Sequence, residues 1–376
     1  MTTRIVRTEI YRFFIPFTMP VKVGREVLHE REGFLIALTD DEGRRSYGEI
    51  APLPGFDLTT LERCLQDIPS VSGVLNNACL HHDRFQLSAP LLGFADIPVS
   101  SWSAHTLFGV ESALLNLHLQ HRETGSLDAL FPLPEETLLI PVNGLFIPES
   151  ATNSLYRRIS ILKNSGATTV KIKIGRLPAE EEIRQIRCLV EEIGAGISLR
   201  LDGNRNLTST AYRRYYEALR DLSVEYAEEP LPEEEMGIAG EVPWPLALDE
   251  SLTRFLDPEQ PRLSALNPAV RTVILKPGLL NGLHAMARVI RDANEAGIRT
   301  IFSSAFNTGF TLATLGVFSR LAGLPPETAH GLDTLRYLAA DVLLSSPEIS
   351  GGMLVIPGKL FGEASLNESC IREKIL

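Results

Sequence analysis

From Leu138 onward, short apolar or β-branched runs recur, and most are followed by a stretch with helical spacing. The runs are Leu138–Val142, Thr168–Ile174, Ile197–Leu201, Val224–Ala227, Leu246–Leu248, Thr272–Leu275 and Thr300–Phe302. Amphipathic segments such as Glu180–Ile193, Thr210–Leu222 and Gly282–Ala296 lie between them. Strand–helix units repeated at intervals of roughly 20–30 residues imply parallel strands joined by right-handed crossovers. Seven or eight such units predict a closed barrel rather than an open sheet. The expected fold class is therefore α/β, a (β/α)7β TIM-like barrel with an N-terminal α+β capping domain.

The cap is read from the strand-like runs Ile5–Ile15, Gly33–Thr39 and Ser46–Ile50, separated by turn residues such as Asp40-Asp41-Glu42-Gly43. Thr59–Asp67 and Gly109–Gln120 carry helical spacing. The expected division is 1–130 for the cap, 131–335 for the barrel, and 336–376 for a C-terminal segment packing back toward the cap. Pro69–Pro98, rich in Pro, Ser, Asn and His, reads as a peripheral insertion.

Barrel active sites form at the C-terminal ends of the strands, so polar residues there carry the chemistry. The second run contains Lys171-Ile172-Lys173. Lysines two apart share one strand face, and neighbouring ammonium groups depress each other's pKa toward that of a usable base. The third, fourth and fifth runs end in Asp202, Glu228 and Asp249. Asp at such a turn commonly caps the next helix, but three successive strand-end carboxylates can converge only around a cation, and oxygen ligands select a hard one such as Mg²⁺. The sixth run ends in Lys276, and strands two and six stand across an eight-fold barrel, so Lys173 and Lys276 are expected to face each other over the pocket. Ser303 and Ser304 close the seventh, and Gly331 falls at an eighth position. The set suits removal of a proton next to a carboxylate, because cationic groups stabilise the doubly charged enediolate that forms.

The bulk properties restrict partners. With 36 Lys+Arg against 47 Asp+Glu the net charge is −11, which disfavours nucleic acid and anionic membranes as partners. No run of eighteen apolar residues occurs, and no GxGxxG or GxxxxGK, so neither a membrane span nor a nucleotide cofactor is expected. Cys64, Cys79, Cys188 and Cys370 are scattered, a poor disulfide framework that fits a reducing, cytoplasmic setting. The expected partner is a small-molecule carboxylate substrate.

The order Lys171-x-Lys173, Leu201-Asp202-x-Asn204, Glu228-Glu229-Pro230, Asp249-Glu250-Ser251, Lys276-Pro277 resembles the enolase superfamily, in its muconate-lactonizing-enzyme-like subgroup. Within it, Gly48–Phe56, Ser303-Ser304 and Gly331–Leu335 look like segments of the o-succinylbenzoate synthases. The resemblance implies a Mg²⁺-dependent syn dehydration of a cyclohexadiene carboxylate in menaquinone or phylloquinone synthesis. It implies that Lys173 removes the α-proton and returns a proton to the departing hydroxyl, that Lys171 tunes it, and that Lys276 stabilises the enediolate. It implies Asp202, Glu228 and Asp249 as Mg²⁺ ligands with Asn204 behind them; Glu229 and Glu250, which alternate to the other side, are read as supporting groups. A loop near Pro20–Arg31 would close over the succinyl arm. The chain departs from many relatives at Ala305-Phe306-Asn307, where they carry Glu.

Three other readings share parts of this pattern. A racemase or epimerase of N-acylamino acids or dipeptides would use the same two lysines; a Schiff-base aldolase would leave the carboxylates idle; a scaffold barrel would need none of them. His81-His82 reads as a surface loop rather than a metal pair, and His330, although near the eighth strand end and so a candidate to reach the pocket, is not read as a site residue.

Overall fold

A computed structural model describes residues 2–87, 93, 95, 102–121, 137–150, 154–194, 196–256, 262–358, 360 and 365–376. The apolar alternation near the N-terminus becomes a long antiparallel hairpin, β1 (Thr2–Val23) and β2 (Glu26–Asp40), continued by β3 (Arg45–Ile50). The expected loop at Pro20–Arg31 is instead this hairpin's tip. Val21, Lys22 and Val23 pair with Leu28, Val27 and Glu26, because β-branched residues on both sides of Gly24-Arg25 favour ladder over coil. α1 (Leu61–Leu75) starts where the Thr60 hydroxyl accepts the Arg63 N–H at 3.2 Å.

Pro69–Pro98 is not peripheral over its described part. Val71 and Leu75 are buried on α1, and β4 (Cys79–His81) pairs with β1. His82 is 2% exposed, stacks on His118 and packs at a tilt against His121, so the surface-loop expectation also fails there. Its Nε2 lies 2.9 Å from the Thr3 hydroxyl, a partner that β1 supplies and local sequence does not announce. The rest of that stretch, residues 88–92, 94 and 96–98, lies outside the described residues.

α2 (Ala104–Leu119) is apolar nearly all round and buried along most of its length. It lies directly on β3: a Cβ on Gly48 would come 1.9 Å from the Gly109 carbonyl oxygen, so both glycines are required by the approach.

Leu138–Val142, expected as the first barrel strand, is mostly β5 (Thr137–Pro141), which pairs antiparallel with a later strand. An apolar run shows that a segment is buried, not which edge it joins. The barrel sheet begins with β6 (Gly144–Phe146). α3 (Leu155–Asn164) leads to β7 (Thr169–Lys173), α4 (Ala179–Ile193) to β8 (Ser198–Asp202), and α5 (Ser209–Leu219) to β9 (Val224–Glu228). Short α6 (Met236–Ala239) precedes β10 (Leu246–Leu248), and α7 (Leu252–Phe255) precedes β11 (Val270–Leu275). α8 (Gly282–Glu295), β12 (Arg299–Phe302) and α9 (Gly309–Leu321) follow.

The seven strands run in order β12-β11-β10-β9-β8-β7-β6, with every pair parallel. The eighth position shrinks to two bridges, Val142 with His330 and Ser303 with Gly331, which join the sheet's two edges. After the barrel, β13 (Glu348–Ser350) and β14 (Met353–Pro357) form the antiparallel sheet with β5, and β15 (Ile371–Lys374) returns to pair with β1. Among the described residues no helix is long and apolar enough to cross a membrane.

Candidate active site

Strand register assembles the site. Lys173, Asp202 and Glu228 are successive Cα partners across β7, β8 and β9; two residues earlier, Lys171, Arg200 and Tyr226 form the row beneath. On these strands Val170, Ile172, Leu199, Leu201 and Ala227 face the main core, so the period of two turns the polar rows together to the other face.

Within this row the lysines and carboxylates are in contact. Lys171 Nζ donates to Glu228 Oε1 at 2.6 Å and lies 2.7 Å from Asp202 Oδ2. Lys173 Nζ donates to the same Asp202 Oδ2 at 2.6 Å and to Asn204 Oδ1 at 2.8 Å. Asn204, at φ +43°, also donates its N–H to Asp202 Oδ1 at 3.0 Å. Further round the barrel, Lys276 Nζ donates to Asp249 Oδ2 at 2.5 Å and lies 3.8 Å from Glu250. The Phe56 ring of the cap covers Lys276 at 4.3 Å, bringing the Gly48–Phe56 segment to the lysine.

Glu229 accepts the N–H groups of Asp249 and Ser251 on Oε1, both at 2.8 Å, and so ties the end of β9 to the turn that presents Asp249. Ser303 and Ser304 sit where β12 meets Gly331. The Ser304 N–H donates to the Gly331 carbonyl at 2.9 Å, and its hydroxyl pairs with Thr334 Oγ1 at 2.8 Å. His330 does not join this group. Its Nδ1 accepts the Phe302 N–H at 3.0 Å, and burial in the barrel wall pushes its pKa down to about 3.

Electrostatics inside this cluster differ from the expectation drawn from two adjacent ammonium groups. Burial pulls the Lys171 pKa down, but Asp202 and Glu228 outweigh it and hold Lys171 well above the usual lysine range. Burial pulls Lys276 down as well, and Asp249 and Glu250 carry it above its ordinary value. Asp202 is the mirror case: burial pushes up, but Lys171 and Lys173 bring it well below the usual carboxylate range. Glu228 and Asp249 stay raised, because burial there exceeds the lysines' attraction.

Residues 156–360 match the enolase C-terminal domain-like family. The chain belongs to that family. Residues 5–94 match the N-terminal domain of MenC. The o-succinylbenzoate synthase of Pectobacterium atrosepticum is 28% identical, over 90% of this chain and 93% of its own length. Protein PHYLLO, chloroplastic, of Arabidopsis thaliana is 26% identical over 84% of this chain, which spans only 20% of that longer protein. The crystal structure of muconate lactonizing enzyme from Pseudomonas fluorescens complexed with muconolactone matches with a TM-score of 0.72 and 18% identity, covering 98% of this chain and 100% of that one. At that identity the likeness concerns the fold: an α/β barrel with an antiparallel N-terminal sheet domain.

Against an enolase-family site, the donor chemistry fits a hard cation. The three strand-end carboxylates offer oxygen only, and Glu228 Oε2 and Asp249 Oδ1 are buried with no hydrogen-bond partner among the described residues. Lysine ammonium groups sit on the other oxygens, and among the described residues no three His, Cys, Asp or Glu side chains form a ready-made metal cluster. Sequence reasoning missed the residues that hold these strand ends. Glu182 accepts the N–H groups of Gly175, Arg176 and Leu177 at 2.7–2.8 Å just beyond Lys173, yet in sequence it is one of three consecutive glutamates opening a helix.

Proposed function

We propose that this protein is an o-succinylbenzoate synthase, dehydrating 2-succinyl-6-hydroxy-2,4-cyclohexadiene-1-carboxylate to 2-succinylbenzoate. The observation that carries the reading is the ordered placement of Lys171 and Lys173 on one barrel strand, Lys276 four strands away, and a carboxylate on each of the three strands between. The match of the cap to the MenC N-terminal domain and the names of the relatives support this substrate.

In this reading a neutral Lys173 takes the proton α to the substrate carboxylate. The electron pair left behind delocalises into that carboxylate, giving an enediolate with two negative charges. Lys276, on the far side of the ring of strands, faces that developing charge with a cation, its ammonium held by Asp249. Lys173, now an ammonium, gives its proton to the departing hydroxyl on the same face, so water leaves, the ring becomes aromatic and the lysine is neutral again. Asp202, Glu228 and Asp249 would hold a Mg²⁺ ion that supplies positive charge beside the substrate carboxylate. Lys171, pinned between Asp202 and Glu228, keeps a fixed positive charge beside Lys173 and adds to the field that meets the enediolate. Phe56 shields Lys276 from water, which strengthens the field that it exerts.

The test is a spectrophotometric assay of the diene with Mg²⁺ and with EDTA. Loss of diene absorbance only with metal is the expected result. No loss in either condition would remove the dehydratase reading, and racemisation of N-acylamino acids, which needs the same lysines, would then be measured.

A further inference from the structure

Arg31 on β2 is 1% exposed, yet among the described residues no carboxylate lies within ion-pair distance of it. Its guanidinium is used entirely on carbonyls. Nη1 donates to Glu32 at 3.1 Å and to Pro52 at 2.8 Å, Nη2 donates to Ala51, and Nε donates to Phe306 at 3.2 Å. One planar fork therefore joins a cap strand, the start of the cap loop that carries Phe56, and the barrel loop after β12. Its charge is balanced at longer range by Glu49 and Asp57.

Glu49, at the end of β3 and 2% exposed, grips the same barrel loop two residues on. It accepts Asn307 Nδ2 at 3.0 Å, the Thr308 N–H at 3.0 Å and the Thr308 hydroxyl at 2.7 Å. Between the two grips stands Phe306 at φ +56°, a conformation that a bulky L-residue adopts only when its surroundings impose it. Its ring lies edge-on to Phe17 of the cap at 5.4 Å and to Tyr337 at 5.6 Å. The loop begins at Ser304, whose hydroxyl accepts the Asn307 N–H at 3.1 Å.

We infer that Arg31 and Glu49 are positioning residues: through a clasp across the two sheets they set the loop 304–308, and with it Ser304 and Phe306, for the substrate. The inference rests on the function proposed above for its substrate. Its physical logic is that the loop's own bonds leave Phe306 strained, so the bonds from the cap decide its shape. A lysine at position 31 would keep the charge but could not reach three segments at once. A clasp that only glued the two sheets together would affect stability and leave substrate affinity alone.

The experiment uses the full chain with Arg31→Lys and, as a variant that removes no buried charge, Asn307→Ala. KM and kcat for the diene carboxylate, the Mg²⁺ dependence, and hydrogen exchange of the 304–308 amides are measured. KM should rise roughly tenfold in Arg31→Lys and less in Asn307→Ala, with faster exchange at 304–308 and an unchanged Mg²⁺ requirement. Wild-type KM and wild-type exchange in a folded Asn307→Ala variant, with only a lower melting temperature, would overturn the inference. If wild-type protein does not consume the diene at all, the functional reading has failed, and exchange at 304–308 alone decides whether the clasp sets the loop.

Discussion

Lys171 and Lys173 meet on one atom: both ammonium groups lie against Oδ2 of Asp202, at 2.7 and 2.6 Å. A single carboxylate oxygen cannot neutralise two ammonium groups, so Glu228 completes the pairing for Lys171 and the Asn204 amide oxygen that for Lys173. The arrangement separates the two lysines chemically, one between two carboxylates and the other against one. In the function proposed above Lys173 is the group that transfers the proton, and that role can be tested.

Lys173→Ala should lower turnover of the diene about a thousandfold, the scale of a lost general base, while circular dichroism and Mg²⁺ binding stay as in wild type. A residual rate within tenfold of wild type would return the role to another group.

Removing divalent metal with EDTA should abolish turnover, and restoring Mg²⁺ should recover it. Mg²⁺ at about a hundred times its Kd should also stabilise the fold by about 2.7 kcal/mol, read as a rise in melting temperature. Asp249→Asn should weaken both effects. An Asp249→Asn protein with wild-type Mg²⁺ dependence would take Asp249 out of the ligand set.

Glu111 on α2 gives a pH dependence outside the active site. Its carboxylate accepts the His284 N–H of α8 at 3.1 Å, but burial outweighs that bond and pushes its pKa up to about 8. In the unfolded chain it titrates near 4.5, so between those values the folded state holds a proton that the unfolded state has lost. The stability it contributes is therefore present below about pH 4.5 and lost as pH rises through 8. Glu111→Gln should flatten the decline in stability between pH 5 and 8, measured by urea unfolding (pH range set by the two pKa values). An unchanged slope would count against it.

Glu182 should matter far more than its place in a run of glutamates suggests. It accepts three backbone N–H groups and the Tyr215 hydroxyl, and it is fully buried. Glu182→Gln would turn an amide N–H toward donors, at a cost of about 2–4 kcal/mol in urea unfolding. Tyr215→Phe, which removes one bond, should cost about 1 kcal/mol.

The part of this protein legible in its sequence is the part encoded by short-range periodicity. Alternation by two placed Lys171 with Lys173 on one strand face, and strand ends located Asp202, Glu228 and Asp249, because those relationships are settled within a few bonds of backbone. Periodicity reports burial and not partner. Hence Leu138–Val142 reads as a barrel strand although most of it pairs antiparallel with β14, and Pro20–Arg31 reads as a loop although it is the tip of a hairpin. Tertiary structure alone decided which oxygen each lysine meets, and it brought Arg31 to Phe306 and Glu49 to Thr308 across 275 and 259 residues of chain. No local pattern marks such pairs, since each residue's environment is made by a surface that exists only once cap and barrel have closed on each other.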